Sequence, residues 1–122
     1  VGNLKILIVE DDEASVKLLK IVLKDYTAEF AVVRNGLKAV ELLKTDSSFD
    51  IVFMDIRLPG INGFDASKEI RKFNSEIIII AQTAHALAGD RLKALDAGCD
   101  DYLPKPINLK NMRSIINKYV KH

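Results

Sequence analysis

The run Ile77-Ile78-Ile79-Ile80-Ala81 offers apolar side chains to both faces of an extended chain. A strand with one solvated face alternates apolar and polar residues, whereas a run apolar throughout fits a central parallel strand covered by helices on both sides. Residues 6–9, 30–33 and 51–54 have the same character, and Tyr102-Leu103 forms a weaker fifth run. Between them, apolar residues recur at helical spacing: Val16, Leu19, Val22 and Leu23; Val40 and Leu43; Ala66, Ile70 and Phe73; Leu92 and Leu95; Leu109, Met112, Ile116 and Tyr119. The order is strand then helix, five times. That alternation predicts a parallel α/β sheet with right-handed crossovers, layered between helices. Turn signals lie between or beside the segments at Asn35-Gly36, Pro59-Gly60, Asn62-Gly63 and Ala97-Gly98.

Composition narrows the class. With 122 residues the expectation is one domain over 1–122, large enough to bury roughly two thirds of its unfolded surface. Charged residues at 29% and hydrophobic residues at 48% are ordinary for a globular chain, and the net charge of +1 gives no electrostatic case for nucleic acid or a membrane surface. Cys99 is the one cysteine, so no internal disulfide forms and a reducing cytoplasm is expected. No apolar run approaches the length of a membrane span. The chain opens on Val1 rather than Met, as a piece cut from a longer protein would.

In an open parallel sheet, ligands bind beyond the carboxyl ends of the strands. There the first run leads into Glu10-Asp11-Asp12, the third into Asp55, the fourth into Thr83-Ala84 and the fifth into Lys105-Pro106. Carboxylates brought together repel one another unless a cation sits among them. Oxygen ligands suit Mg²⁺, which takes one or two carboxylates, keeps several waters and admits phosphate oxygens. Each element alone has a plainer reading. Glu10-Asp11-Asp12 suits a solvated turn and helix N-cap, Asp55 a turn, Thr83 a hydroxyl bonded to backbone, and Lys105 a surface charge. Together they bring carboxylates, a nucleophile candidate, a hydroxyl and an ammonium to one edge of one sheet.

The motifs Ile6-Leu7-Ile8-Val9-Glu10-Asp11-Asp12, Asp50-Ile51-Val52-Phe53-Met54-Asp55-Ile56-Arg57-Leu58-Pro59-Gly60, Ala81-Gln82-Thr83-Ala84 and Tyr102-Leu103-Pro104-Lys105-Pro106 resemble the receiver domains of two-component phosphorelay signalling. The likeness covers essentially the whole chain. It implies a flavodoxin-like (βα)5 doubly wound parallel sheet of five strands in the order 2-1-3-4-5. It implies that Asp55 accepts a phosphoryl group from phosphohistidine with Mg²⁺ as cofactor. The metal set would be Asp11, Asp55 and the Arg57 carbonyl, with Glu10 acting through metal-bound water. The phosphoryl-binding and catalytic groups would be Thr83, the backbone near Ala84, and Lys105, whose bond to Pro106 would be cis. The implied switch is Thr83 with Tyr102, which has a plainer reading as a half-buried aromatic. Arg57 and His85 would border the site and modulate phosphoryl lifetime, while His122 reads as a terminal surface residue. Implied partners are a histidine kinase or a histidine phosphotransfer protein, with no direct nucleic-acid contact and no membrane insertion. The face of helix four, strand five and helix five is where an oligomer would form.

Rival readings lack residues they need. A flavodoxin-like nucleotide binder wants hydroxyls and amides in its first loop, which here is acidic. A haloacid-dehalogenase-type phosphatase shows an Asp-x-Asp pattern, and Arg57 stands at its second Asp. A module that keeps the fold without phosphorylation is the remaining alternative, and a receiver assisting only its own phosphorylation and dephosphorylation is not a separate enzyme. Two well-separated histidines give no support for zinc. Ala81-Gln82-Thr83-Ala84-His85-Ala86 resembles receivers attached to hybrid sensor histidine kinases. No output segment follows the last helix before His122, so the domain either works through a partner or belongs to a larger protein.

Overall fold

A computed structural model describes residues 4–84 and 89–119. Its elements alternate as the apolar runs predict: β1 (Leu4–Val9), α1 (Glu13–Leu23), β2 (Thr27–Val33), α2 (Gly36–Thr45), β3 (Ile51–Asp55), α3 (Gly63–Arg71), β4 (Ile78–Thr83), α4 (Asp90–Asp96), β5 (Asp101–Pro104) and α5 (Leu109–Tyr119). The strands form one parallel sheet in the order β2-β1-β3-β4-β5. This is the doubly wound arrangement that the resemblance implies.

Strand period divides the core in two. Leu7, Val9, Val52, Met54, Ile79 and Ala81 pack with Ala39, Leu43, Ala66, Ile70 and Ala94 from α2, α3 and α4. The alternate residues Ile6, Ile8, Ile51, Phe53, Ile80 and Leu103 pack with Leu19 and Leu23 of α1 and Met112 and Ile116 of α5. Successive residues of a strand point to opposite faces, so a strand covered on both sides is apolar at every position.

Helix starts are set by side-chain caps. The Asp12 carboxylate accepts from the Ser15 amide at 3.1 Å, which satisfies one of the free donors of the first turn of α1. Asn35 and Asn62 cap α2 and α3 in the same way, accepting from the Lys38 and Asp65 amides at 2.9 Å each. The two Asn-Gly pairs are therefore helix starts, each glycine being the first helical residue. The Lys105-Pro106 peptide bond is cis.

Four apolar positions depart from expectation. Leu92 and Leu95 are exposed by 66% and 44%, and α4 instead buries Asp90 and Ala94. A helix of seven residues offers barely two turns, and small residues let it lie close to the sheet. Phe73 falls beyond the end of α3 and is 39% exposed, with the Lys44 ammonium 5.9 Å from its ring. Leu109, at the start of α5, is also exposed, while Met112 and Ile116 carry the burial of that helix.

Candidate functional site

The backbone ladder runs one residue past the strand ends, which holds the polar residues there in register. The Glu10 amide donates to the Val33 carbonyl at 3.1 Å, the Ile56 amide to Gln82 at 2.9 Å, and the Lys105 amide to Thr83 at 2.7 Å. Glu10, Asp55 and Lys105 each lie two residues beyond a residue of the α1–α5 core: Ile8, Phe53 and Leu103. Their side chains therefore emerge on one face.

Glu10 and Asp55 are buried, at 1% and 4% exposure, and Asp11 is exposed. Ligand oxygens of the three carboxylates all lie within 4.8 Å of one another. The Lys105 ammonium reaches Glu10 at 2.6 Å and stands 3.6 Å from Asp55 Oδ1. The Arg57 amide donates to the same Asp55 oxygen at 3.3 Å, and the Asp12 amide donates to Glu10 at 3.2 Å. Burial pushes the Glu10 carboxyl above its usual range, the Asp55 charge adds to this, and the Lys105 ammonium opposes it.

One ammonium against three carboxylates leaves an excess of negative charge in a partly desolvated place. The donor set is all hard oxygen, which fits a divalent ion of the magnesium class and does not fit a thiolate- or imidazole-seeking metal.

Thr83 is 1% exposed and continues the parity of Ile79 and Ala81, so it faces the α2–α4 side. With Ile56, Arg57, Leu58, Phe64 and Asp90 it lines a recess of about 610 Å³ between α3 and α4. Tyr102 packs on the same side, its hydroxyl buried without a hydrogen-bond partner among the described residues. Burial, reinforced by the Asp90 carboxylate, raises the pKa of that hydroxyl. Ala84 and Arg57 are exposed at the rim. His85 and His122 lie outside the described residues.

Two residues near the acidic group escaped the sequence reading. Gly63 opens α3 against the end of β3, its amide donating to the Ile56 carbonyl at 2.9 Å. A Cβ there would overlap the Asp55 carbonyl oxygen and come within 2.9 Å of the Ile56 Cα. The Asn62-Gly63 signal marked a break without revealing how closely the helix approaches. Gln82 is the second, paired with Asp55 across the ladder and 1% exposed. Its place in an apolar strand gave no sequence signal for a role.

Comparison with known proteins places this arrangement. The family described as the response regulator receiver domain matches residues 6–117. Hybrid signal transduction histidine kinase G of Dictyostelium discoideum is 42% identical over 122 residues, covering 96% of this chain. The chain spans 4% to 13% of the length of the sensor kinases first matched. Among solved structures, the receiver domain of Saccharomyces cerevisiae Ssk1, crystallised with the histidine phosphotransfer signalling protein Ypd1, superposes with a TM-score of 0.86 at 32% identity, covering 96% of this chain and 88% of that one. The receiver domain of sensor histidine kinase PA1611 of Pseudomonas aeruginosa PAO1, with magnesium coordinated in its active-site cleft, gives 0.85 at 33% identity, covering 97% and 98%. Among the described residues, no helix is long and apolar enough to cross a membrane. Sequence, topology and the grouping of carboxylates at the strand ends agree, and the chain belongs to the response regulator receiver domain family.

Proposed function

We propose that this chain is a single receiver domain, 1–122, whose Asp55 takes a phosphoryl group from a phosphohistidine. The observation that carries the reading is the convergence of Glu10, Asp11 and Asp55 on one point, with Lys105 bridging two of them. An Asp55 carboxylate oxygen attacks phosphorus, the P–N bond to the donor imidazole breaks, and the imidazole leaves with the bond's electron pair. Asp55 is suited to this step because β3 ends on it and the Arg57 amide steadies one of its oxygens.

Glu10, Asp11, Asp55 and the Arg57 carbonyl would hold Mg²⁺, which when bound neutralises charge on the phosphoryl oxygens. Lys105 supplies a fixed positive charge on the other side, with the Thr83 hydroxyl and the Ala84 amide as further donors to the phosphoryl group. Thr83 lines the α3–α4 recess and Tyr102 packs on the same side of the sheet, so a new interaction at Thr83 would be felt by an aromatic whose hydroxyl has no hydrogen-bond partner among the described residues. Arg57, exposed at the rim, tunes phosphoryl lifetime, and the same role is proposed for His85 from the resemblance alone. No separate catalytic activity on an external substrate is proposed.

The partners follow from the chemistry and from the relatives: a histidine kinase or a histidine phosphotransfer protein, in the cytoplasm, without direct nucleic-acid contact. A second copy would meet the face of α4, β5 and α5, where Leu92 and Leu95 are exposed. Transfer from a phosphorylated histidine phosphotransfer protein, followed by loss of label from the donor, tests the reading. Transfer to the parent but not to Asp55→Asn is expected, and equal transfer to both would contradict it.

A further inference from the structure

Register sets four residues in one row across the sheet. Val9 pairs with Met54, so Glu10 follows opposite Asp55; Asp55 pairs with Gln82, and Gln82 with Leu103. Paired residues of adjacent strands point to the same face, here the face of the α1–α5 core. Lys105 stands two residues beyond Leu103 on that face. Gln82 thus has Asp55 beside it and Lys105 above its other neighbour.

Gln82 is 1% exposed, and its carboxamide Nε2 is buried with no hydrogen-bond partner among the described residues. A buried donor without an acceptor is destabilising and uncommon in native proteins. Leucine or methionine would fill the same volume without that penalty, as the residues around it do. Across the ladder Gln82 neighbours Asp55, the one carboxylate that, on the reading above, gains new acceptor oxygens. A phosphoryl group adds charge and strong acceptor capacity at that place, while Lys105 is already engaged with Glu10 at 2.6 Å.

We propose that Gln82 is an additional phosphoryl-binding residue, its Nε2 donating to an oxygen of the group carried by Asp55. This inference rests on Asp55 being the phosphoacceptor. Gln82 is unsatisfied in the resting domain and satisfied in the loaded one, so its contribution adds to the difference between the two states.

The test loads the domain with beryllofluoride and Mg²⁺, a stable mimic of the aspartyl phosphate, and compares the parent with Gln82→Leu and Gln82→Met. Unloaded, the variants should melt at or above the parent temperature. Their affinity for beryllofluoride, read from the thermal shift, should be about tenfold weaker, as befits one hydrogen bond to a charged group. In the parent, the Gln82 side-chain amide proton resonance should move downfield on loading, a readout that does not depend on any variant folding. Equal affinity in parent and variants, or an amide resonance that does not move, would overturn the inference while leaving the Asp55 reading intact. A parent that takes no beryllofluoride at all would overturn the Asp55 reading and this inference with it.

Discussion

Each end of the sheet carries a lysine facing carboxylates, and the two ends behave in opposite ways. At the amino end, Lys5 of β1 pairs with Asp46 at 2.8 Å, donates to Ser48 at 2.7 Å and lies 4.6 Å from the centre of the Phe49 ring. Ser48 also bonds Asp46, and the Lys5 amide is taken by Asp50 at 2.9 Å. There the Lys5 ammonium and the Ser48 hydroxyl hold the Asp46 carboxyl far below its usual range. At the carboxyl end, burial drives Glu10 upward, and one ammonium is set against three carboxylates. The residue types are shared, and the balance of charge and burial separates them. Matched charges at a wet surface give a modest structural tie, whereas an unmatched, half-desolvated set is poised to gain from an incoming cation.

The carboxyl-end site is most vulnerable at Gly63. Gly63→Ala forces a Cβ into the backbone of Asp55 and Ile56, and overpacking of this kind costs about 2–3 kcal/mol of stability. Mg²⁺ affinity should fall with it, because the clash is with the residue that carries the site. Calorimetric unfolding and a Mg²⁺ titration check both effects. Gly98→Ala makes a useful control: its Cβ would meet the Arg71 side chain at 2.5 Å, at a backbone φ of +96°, so it strains the α4–β5 connection instead. It should lose stability while keeping Mg²⁺ affinity.

Asp11→Asn removes one carboxylate from the unmatched set. Mg²⁺ binding should weaken by ~10-fold or more, at least the loss that follows removal of an outer partner of a metal ligand. The metal-free domain should be no less stable, since a like-charge contact is relieved. A clear fall in the melting temperature of the metal-free form would show that Asp11 has a structural role.

Asp101 sharpens the contrast from β5. Burial alone would raise its pKa, but the Tyr102 amide, the Lys118 ammonium at 3.1 Å and the Tyr119 hydroxyl at 3.0 Å lower it overall. A depressed carboxyl stabilises the fold above its unfolded pKa, and that contribution is lost as pH falls through the folded value. Asp101→Asn should therefore cost about 1 kcal/mol near neutral pH, a figure kept small by the exposed Lys118. The gap between variant and parent should close below about pH 4. A gap that stays constant with pH would mean that packing, not charge, holds Asp101.

The smallest effect is expected from Asp46→Asn. It breaks the matched pair at the amino end, so its modest loss of stability should shrink with added salt and leave Mg²⁺ affinity unchanged. A change in Mg²⁺ affinity would mean that the two ends are coupled through the sheet.

The architecture was legible because the central strands β1, β3 and β4 are covered on both faces, which makes their apolar runs continuous, and because helical spacings alternate with the runs. The strand-end residues were legible because ladder register continues past the strands, so Glu10, Asp55, Thr83 and Lys105 could be located by counting. Helix α4 stands where the spacing of Leu92 and Leu95 placed it, but the face it buries is that of Asp90 and Ala94. Gly63 and Gln82 were hidden for different reasons. The first acts through the side chain it lacks, and the second depends on which strand lies beside it, which no single run of sequence reveals.

The most direct test of the central claim is intact mass after incubation with acetyl phosphate and Mg²⁺, run beside Asp55→Asn. Gain of one phosphoryl group by the parent alone, abolished by a chelator, is expected. Equal gain by Asp55→Asn, or gain that persists after the metal is removed, would contradict that claim.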